Sequence, residues 1–239
     1  FYERPWFCGG AMWVFADYSA KGTYRKMAMA DFWRLPYEDF HFFRAMWTEP
    51  LMAHICCHWD WPGQEGLDRR VVVFTNGDEA ELFLDGKSLG VARPDTARWP
   101  LLPHPPIEWT VRYAPGELKV VARRRDGSKV VDRRVTSGAP AAVALKAENK
   151  TMLADGQDVA FVTATVVDAK GNRCYNAFPN VSIRVQGAAR LAGPATLEAR
   201  GGVARFAVRS TGAKGAAEVE VSCGDLAPGA VRLMCRGGR

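Results

Sequence analysis

The sequence predicts a mainly β protein: two consecutive antiparallel β-sandwiches of immunoglobulin-like architecture, with a β/α segment ahead of them. Three observations carry this expectation. From residue 71 onward, short runs rich in Val, Leu, Phe and Thr are separated by Gly, Asp, Asn and Pro at the close, regular spacing of all-β domains. Of 26 aromatic residues, 17 lie in residues 1–66, while residues 137–239 contain no Trp, so the two ends rest on different cores. A nearly unbroken apolar run followed by a stretch with helical periodicity occurs only near the start.

In residues 1–66, Gly9-Gly10-Ala11-Met12-Trp13-Val14-Phe15, ending near polar Asp17, suits a strand buried on both faces, as in a parallel sheet or barrel. A polar, irregular stretch around Lys21-Gly22-Thr23 follows. Pro36 then opens Tyr37 to Trp47, with Glu38 and Asp39 where a helix start favours acids. Phe40, Phe43 and Trp47 recur at helical spacing and predict one apolar face. A single β/α unit does not fold alone, because its strand needs parallel neighbours. The chain also opens at Phe1-Tyr2-Glu3 with no initiator Met, so the expectation is a fragment.

Residues 67–136 predict a small β-sandwich. Val71 to Asn76 and Ala80 to Leu84 read as strands, and Asp85-Gly86 is a two-residue hairpin signal. Ile107 to Tyr113 alternates, Pro115-Gly116 turns, and strands from Glu117 to Arg123 and Lys129 to Val135 flank Asp126-Gly127. Thr136 to Pro140 reads as a linker. Residues 137–239 predict the second sandwich, with strands at Ala142 to Ala147, Val159 to Asp168, Val181 to Val185, Gly202 to Val208 and Ala217 to Cys223. The Cys…Trp…Cys pattern of antibody domains is absent.

The net charge of +6 concentrates in Arg123-Arg124-Arg125 and Arg133-Arg134, two arms of one hairpin. Without interleaved aromatics this pattern predicts a solvated strand face in preference to a nucleic-acid interface. No apolar run reaches the ~18 residues of a membrane span, so no membrane insertion is expected. Six cysteines lie at Cys8, Cys56, Cys57, Cys174, Cys223 and Cys235 without CxxC spacing or nearby His pairs. No metal site and no cofactor are expected, and His54 and His58 read as structural. Cys174 and Cys223 are read as free buried thiols in preference to a bridge. Compartment is left open.

Three stretches in register resemble the carboxy-terminal part of family 2 glycoside hydrolases, the bacterial β-galactosidases above all. Gly9-Gly10-Ala11-Met12-Trp13-Val14-Phe15-Ala16-Asp17-Tyr18 is similar to the family's last barrel strand. His58-Trp59-Asp60-Trp61-Pro62-Gly63-Gln64-Glu65-Gly66 resembles the stretch after the barrel, and Thr75 to Gly90 resembles the next domain. Leu153-Ala154-Asp155-Gly156 and Asp168-Ala169-Lys170-Gly171-Asn172 are also similar. The resemblance implies that residues 1–66 are a remnant of a TIM barrel, incomplete here, which packs on upstream barrel sequence. The family usually has Lys after the proline that precedes the last helix, whereas Pro36 is followed by Tyr37. Arg25 and Met27 stand nearest to where the β-glucuronidase branch carries Asn-x-Lys, which disfavours a glucuronide.

Retaining glycosidases need two carboxyl groups about 5–5.5 Å apart. In a barrel these groups project from the carboxyl ends of different strands. The resemblance places both glutamates upstream of Phe1, and the acids present (Glu3, Asp17, Asp31, Glu38, Asp39, Glu49, Asp60 and Glu65) lack a framework that opposes a pair across a sugar. No catalytic residue is therefore assigned. Trp13 is implied as the platform under a galactoside-type carbohydrate, since an indole face suits the C–H face of a pyranose. Asp17 either bonds a sugar hydroxyl or fixes a loop. Trp59 and Trp61 are read as glue between barrel and sandwich. The competing reading, a non-catalytic carbohydrate-binding or adhesion module, requires an exposed aromatic row, for which Trp99, Trp109 and Tyr113 are the candidates. The sequons at Asn149 and Asn180 are short enough to arise by chance.

Overall fold

A computed structural model describes residue 6 and residues 10–238; Phe1-Tyr2-Glu3, Cys8 and Gly9 lie outside the described residues. The chain is mainly β and divides into two compact units, Phe1–Thr136 and Ser137–Arg239. No described helix is long and apolar enough to cross a membrane.

The first unit opens with a hairpin of β1 (Tyr18–Ala20) and β2 (Thr23–Arg25), turned by Lys21 and Gly22, both at positive φ. Helix α1 (Glu38–Trp47) follows, and then β3 (Ala53–Ile55), β4 (Asp68–Thr75), β5 (Glu79–Leu84) and β6 (Lys87–Ala92). The unit closes with β7 (Ile107–Arg112), β8 (Glu117–Arg123) and β9 (Lys129–Val135). Two antiparallel sheets, β3-β4-β7 and β6-β5-β8-β9, share one core. Strand alternation builds that core. Val71 and Val73 on β4 and Leu118, Val120 and Ala122 on β8 are buried, while Glu117, Lys119 and Arg123 point away. Asp85 and Gly86, at φ 47° and 78°, form the turn expected between β5 and β6.

Four expectations for this unit need correction. Residues 10–15 form no strand, and Met12, Trp13 and Phe15 are exposed. The end of the segment instead bridges at Ala16 to Ala30, with the Val14 and Phe15 carbonyls accepting from the Met29 and Ala30 N–H groups. A segment bonded along one side only lacks the apolar cover of a sheet with neighbours on both sides. The helix forms where Pro36 and the acids predict, but its buried face differs. Ala45 is fully buried, Phe42 meets Phe74 of β4 at 5.5 Å, and Trp47 stays exposed. The sandwich also begins well before residue 67, because β3 pairs with β4 and Trp59 lies within its core. Trp59 is thus core and not glue; its Nε1 donates to the Ala114 carbonyl at 3.0 Å, and its ring meets Tyr113 at 5.1 Å.

The basic hairpin divides as well. Arg125 and Arg133 are solvated, as expected, but the Arg134 side chain is only 13% exposed. It donates to Asp132 Oδ1 at 2.9 Å, the Ile55 carbonyl at 2.7 Å and the Cys57 carbonyl at 3.1 Å, clamping β9 to β3.

The second unit contains β10 (Pro140–Ala147), β11 (Thr151–Leu153), β12 (Val159–Asp168), β13 (Asn180–Gly187) and β14 (Ala189–Leu191). It continues with β15 (Thr196–Glu198), β16 (Val203–Ser210), β17 (Gly215–Cys223) and β18 (Leu226–Arg236). The ladder runs β14-β16-β12-β10-β18-β17-β13-β15, with β11 also on β18. Val162, Ala164, Val166, Val181, Val219, Val221, Phe206 and Leu233 fill a core that contains no tryptophan.

Pairing is antiparallel except where β18 meets β10 and β11, which departs from the all-antiparallel expectation. Strand β18 is absent from the expected strands, and it carries Pro228-Gly229, a pair typical of turns. Here it lies inside the strand, where a Cβ on Gly229 would collide with the Val143 carbonyl oxygen.

The Asp168 to Asn172 stretch is a turn held by one carboxylate. Asp168 accepts from the N–H groups of Gly138, Lys170 and Asn172 at 2.8–2.9 Å. The Gly138 N–H leads in holding its pKa down to about 2, against some desolvation. Cys56, Cys57, Cys223 and Cys235 are free thiols.

Candidate functional site

The two residues expected to face a sugar have opposite environments. Trp13 is 72% exposed, and its ring stands edge-on to Tyr18 at 6.4 Å, with Nε1 3.5 Å from the Tyr18 hydroxyl. The Trp13–Val14 peptide bond is cis. Such an indole, backed by a second aromatic and open on a face, offers an apolar platform with a polar edge.

Asp17 is 3% exposed and binds inward. Its Oδ2 accepts from the hydroxyls of Tyr24 at 3.0 Å and Tyr37 at 2.6 Å. Its Oδ1 accepts from the N–H groups of Met27 at 3.0 Å and Ala28 at 3.2 Å. Burial alone would raise its pKa, but the Tyr37 and Tyr24 hydroxyls and the two amides outweigh it and hold the carboxyl below its ordinary value. Burial, together with the bond to Asp17, pushes Tyr37 upward in return. Of the two roles left open for Asp17, the geometry fits the loop-fixing one. Tyr37, the departure from the family's pattern, supplies the shortest bond.

Asp31 repeats this device nearby, its Oδ1 accepting from the N–H groups of Trp33 and Leu35 at 2.8 Å each. Residues 26–37, outside the β1–β2 ladder, therefore hold shape through the carboxylates of buried Asp17 and part-buried Asp31. Because the Asp17 pKa is lower folded than unfolded, its stabilisation is present above about pH 4 and is lost as pH falls through the folded value. Asp17→Asn should cost this segment about 1–3 kcal/mol. Hydrogen exchange at the Met27 and Ala28 amides should accelerate, and unchanged exchange would refute the anchoring role.

A second constellation joins α1 to β3. His54 Nε2 lies 2.7 Å from Glu38 Oε2, and the His41 and His54 rings stack at 3.6 Å. Arg134 Nη2 stands 3.3 Å from His54 Nδ1, so Nδ1 is an acceptor and the ring proton sits on Nε2, facing Glu38. The Cys56 sulfur completes a group whose ligand atoms all lie within 4.8 Å. Sequence reasoning missed this group. The signal was His54-x-Cys56, since alternate residues of an extended segment share a face; Glu38 arrives from another element.

The remaining aromatics do not form a row. Trp99 is exposed, Trp109 is half-buried, and Tyr113 is core, its hydroxyl accepting from the Trp61 N–H at 3.0 Å. Trp61 is half-buried between His58 at 4.1 Å and the Arg69 guanidinium at 4.7 Å.

Residues 66–131 match the profile of a domain of unknown function, DUF4982, and residues 143–232 match "Glycoside hydrolase family 2 C-terminal domain 5". Among curated proteins, the chain is 33% identical over 202 residues to the β-galactosidase BoGH2A of Bacteroides ovatus, covering 80% of this chain and 22% of that protein. Among solved structures, a β-glycosidase from Bacteroides vulgatus superposes with a TM-score of 0.84 at 23% identity, covering 92% of this chain and 30% of that one. A family 2 β-glucuronidase superposes with a TM-score of 0.79 at 26% identity, covering 95% and 25%. The chain thus spans less than a third of the length of each of these relatives. By sequence and by fold, it is a relative of the carboxy-terminal region of family 2 glycoside hydrolases.

Proposed function

We propose that the chain is the accessory end of a retaining family 2 glycosidase of β-galactosidase type. In this reading, residues up to about 50 close the catalytic barrel, residues from β3 to Thr136 form one sandwich, and residues 137–239 form an immunoglobulin-like second. Both catalytic carboxylates belong to upstream barrel strands, and the chain alone is inactive.

The observation that carries the reading is the contrast between Trp13 and Asp17. The chain fixes the segment behind Trp13 with four hydrogen bonds to one buried carboxylate, yet leaves the indole open. Binding energy is spent best on a platform whose rotamer and backbone are set before the sugar arrives. The apolar exposure of Met12, Phe15 and Met27 fits cover by neighbouring barrel staves. A galactoside is favoured over a glucuronide because Arg25 and Met27 do not reproduce the Asn-x-Lys pair that reads a sugar carboxylate. The match to BoGH2A agrees with this, and the likeness to a β-glucuronidase sets the competitor to test.

The test compares this chain with one extended upstream through the whole barrel, assayed on nitrophenyl β-galactoside and β-glucuronide. The extended protein should hydrolyse the galactoside, this chain should hydrolyse neither, and Trp13→Ala in the extended protein should lower kcat/KM by about 10-fold or more. Turnover by this chain alone, or an indifferent Trp13→Ala, would overturn the reading.

A further inference from the structure

We propose that Glu38, His54 and Cys56 form a binding site for one soft divalent cation, with Zn²⁺ the best match, which staples α1 to β3. The three ligand atoms lie within 4.8 Å of one another on two separate elements of the first unit. Tetrahedral zinc with bonds of about 2.0–2.3 Å needs its donors about 3.5 Å apart. The Glu38–His54 pair must open from 2.7 Å to reach that spacing, and Glu38, with its side chain 58% exposed, has the room. Three protein donors leave a fourth position for water. A set of one thiolate, one imidazole and one carboxylate selects zinc or cobalt over magnesium or calcium, which prefer oxygen alone.

Charge balance favours the assignment. The Cys56 sulfur stands beside the hydrogen bond from neutral His54 to Glu38, on the side open to a shared cation. Loading releases the Cys56 proton to solvent and moves the His54 ring proton from Nε2 to Nδ1. Asp132 Oδ2 lies 4.0 Å from Nδ1, placing a carboxylate behind the ligating imidazole. Arg134 must then turn Nη2 away from the protonated Nδ1, giving up the 3.3 Å contact, while its Nη1 keeps the bond to Asp132 Oδ1. The metal, Glu38 and the Cys56 thiolate sum to zero charge, as do Asp132 and Arg134. His41 stacks on His54 from α1 and holds the ring plane.

Cobalt is the probe, because a thiolate–Co²⁺ bond has its own charge-transfer band and tetrahedral cobalt has intense visible bands. Titration of the whole chain should give one Co²⁺ per chain with both signatures, one proton released per metal, and displacement by Zn²⁺. Cys56→Ser should abolish the charge-transfer band, while Cys57→Ser should retain it. The exposed substitution Glu38→Gln, which leaves the core untouched, should weaken affinity more than about 10-fold. Absence of the band, its survival in Cys56→Ser, or its equal loss in Cys57→Ser would each sink the site. None of these readouts depends on glycosidase activity.

Discussion

Trp59→Ala should destabilise the first unit by roughly 3–5 kcal/mol, the range for deleting a fully buried large aromatic. The indole is 0% exposed, belongs to the same buried core as Ile55, Val71 and Leu118, and packs on the Tyr113 ring. Its loss leaves a cavity that paired strands are slow to fill, and it strips the Ala114 carbonyl of its 3.0 Å donor. Tryptophan fluorescence reads this unit alone, because residues 137–239 contain none. The urea midpoint should fall with little change in slope. A midpoint within experimental error of the parent chain's would show that Trp59 is not a core residue.

The adjacent arginines Arg133 and Arg134 should behave in opposite ways. Arg134→Met removes donors from Asp132, from the Ile55 carbonyl and from the Cys57 carbonyl, and leaves a part-buried carboxylate short of its partner. The expected loss is about 3 kcal/mol, the lower end for breaking a buried pair, since Asp132 keeps some solvent. Arg133→Met breaks only a 3.7 Å pair to Glu117 between two exposed side chains, and should cost ~0–1 kcal/mol. Both variants remove one charge, so net charge cancels in the comparison. Equal midpoints in urea would refute the clamp.

Those two residues also show where legibility ends. The sequence marks both as the basic arm of a hairpin, and the alternation of β8 and β9 predicts the strands residue for residue. It does not say that β3 passes beside β9 and presents free carbonyls to only one of the pair. Strands carried by local alternation and bounded by Asp-Gly or Gly-Asn are readable because side-chain period and turn chemistry are local properties. Strand β18 was not, because Gly229 is set by close approach of the Val143 backbone, a contact far along the chain.

The same logic holds at the candidate site. Trp13 and Asp17 are named by their motif, but the inward turn of Asp17 depends on hydroxyls from Tyr24 and Tyr37, on a hairpin and at a helix start. The Glu38, His54 and Cys56 group was legible only in its His54-x-Cys56 half, for a like reason. Its spacing matches no metal motif, because one ligand comes from a helix and two from an extended segment.

The placement of β18 sets the order in which the second unit can assemble. It is the last of that unit's strands in the chain, yet it lies between β10 and β17 and also carries β11. Its contact with β10 joins Ala142 to Ala227, about 85 residues apart, a closure that makes folding slow. During synthesis, β10, β11 and β17 must wait with bare edges until β18 leaves the ribosome. Chaperones that shield strand edges would act on that window, and a premature stop before Leu226 would leave three strands ready to pair with the wrong neighbour.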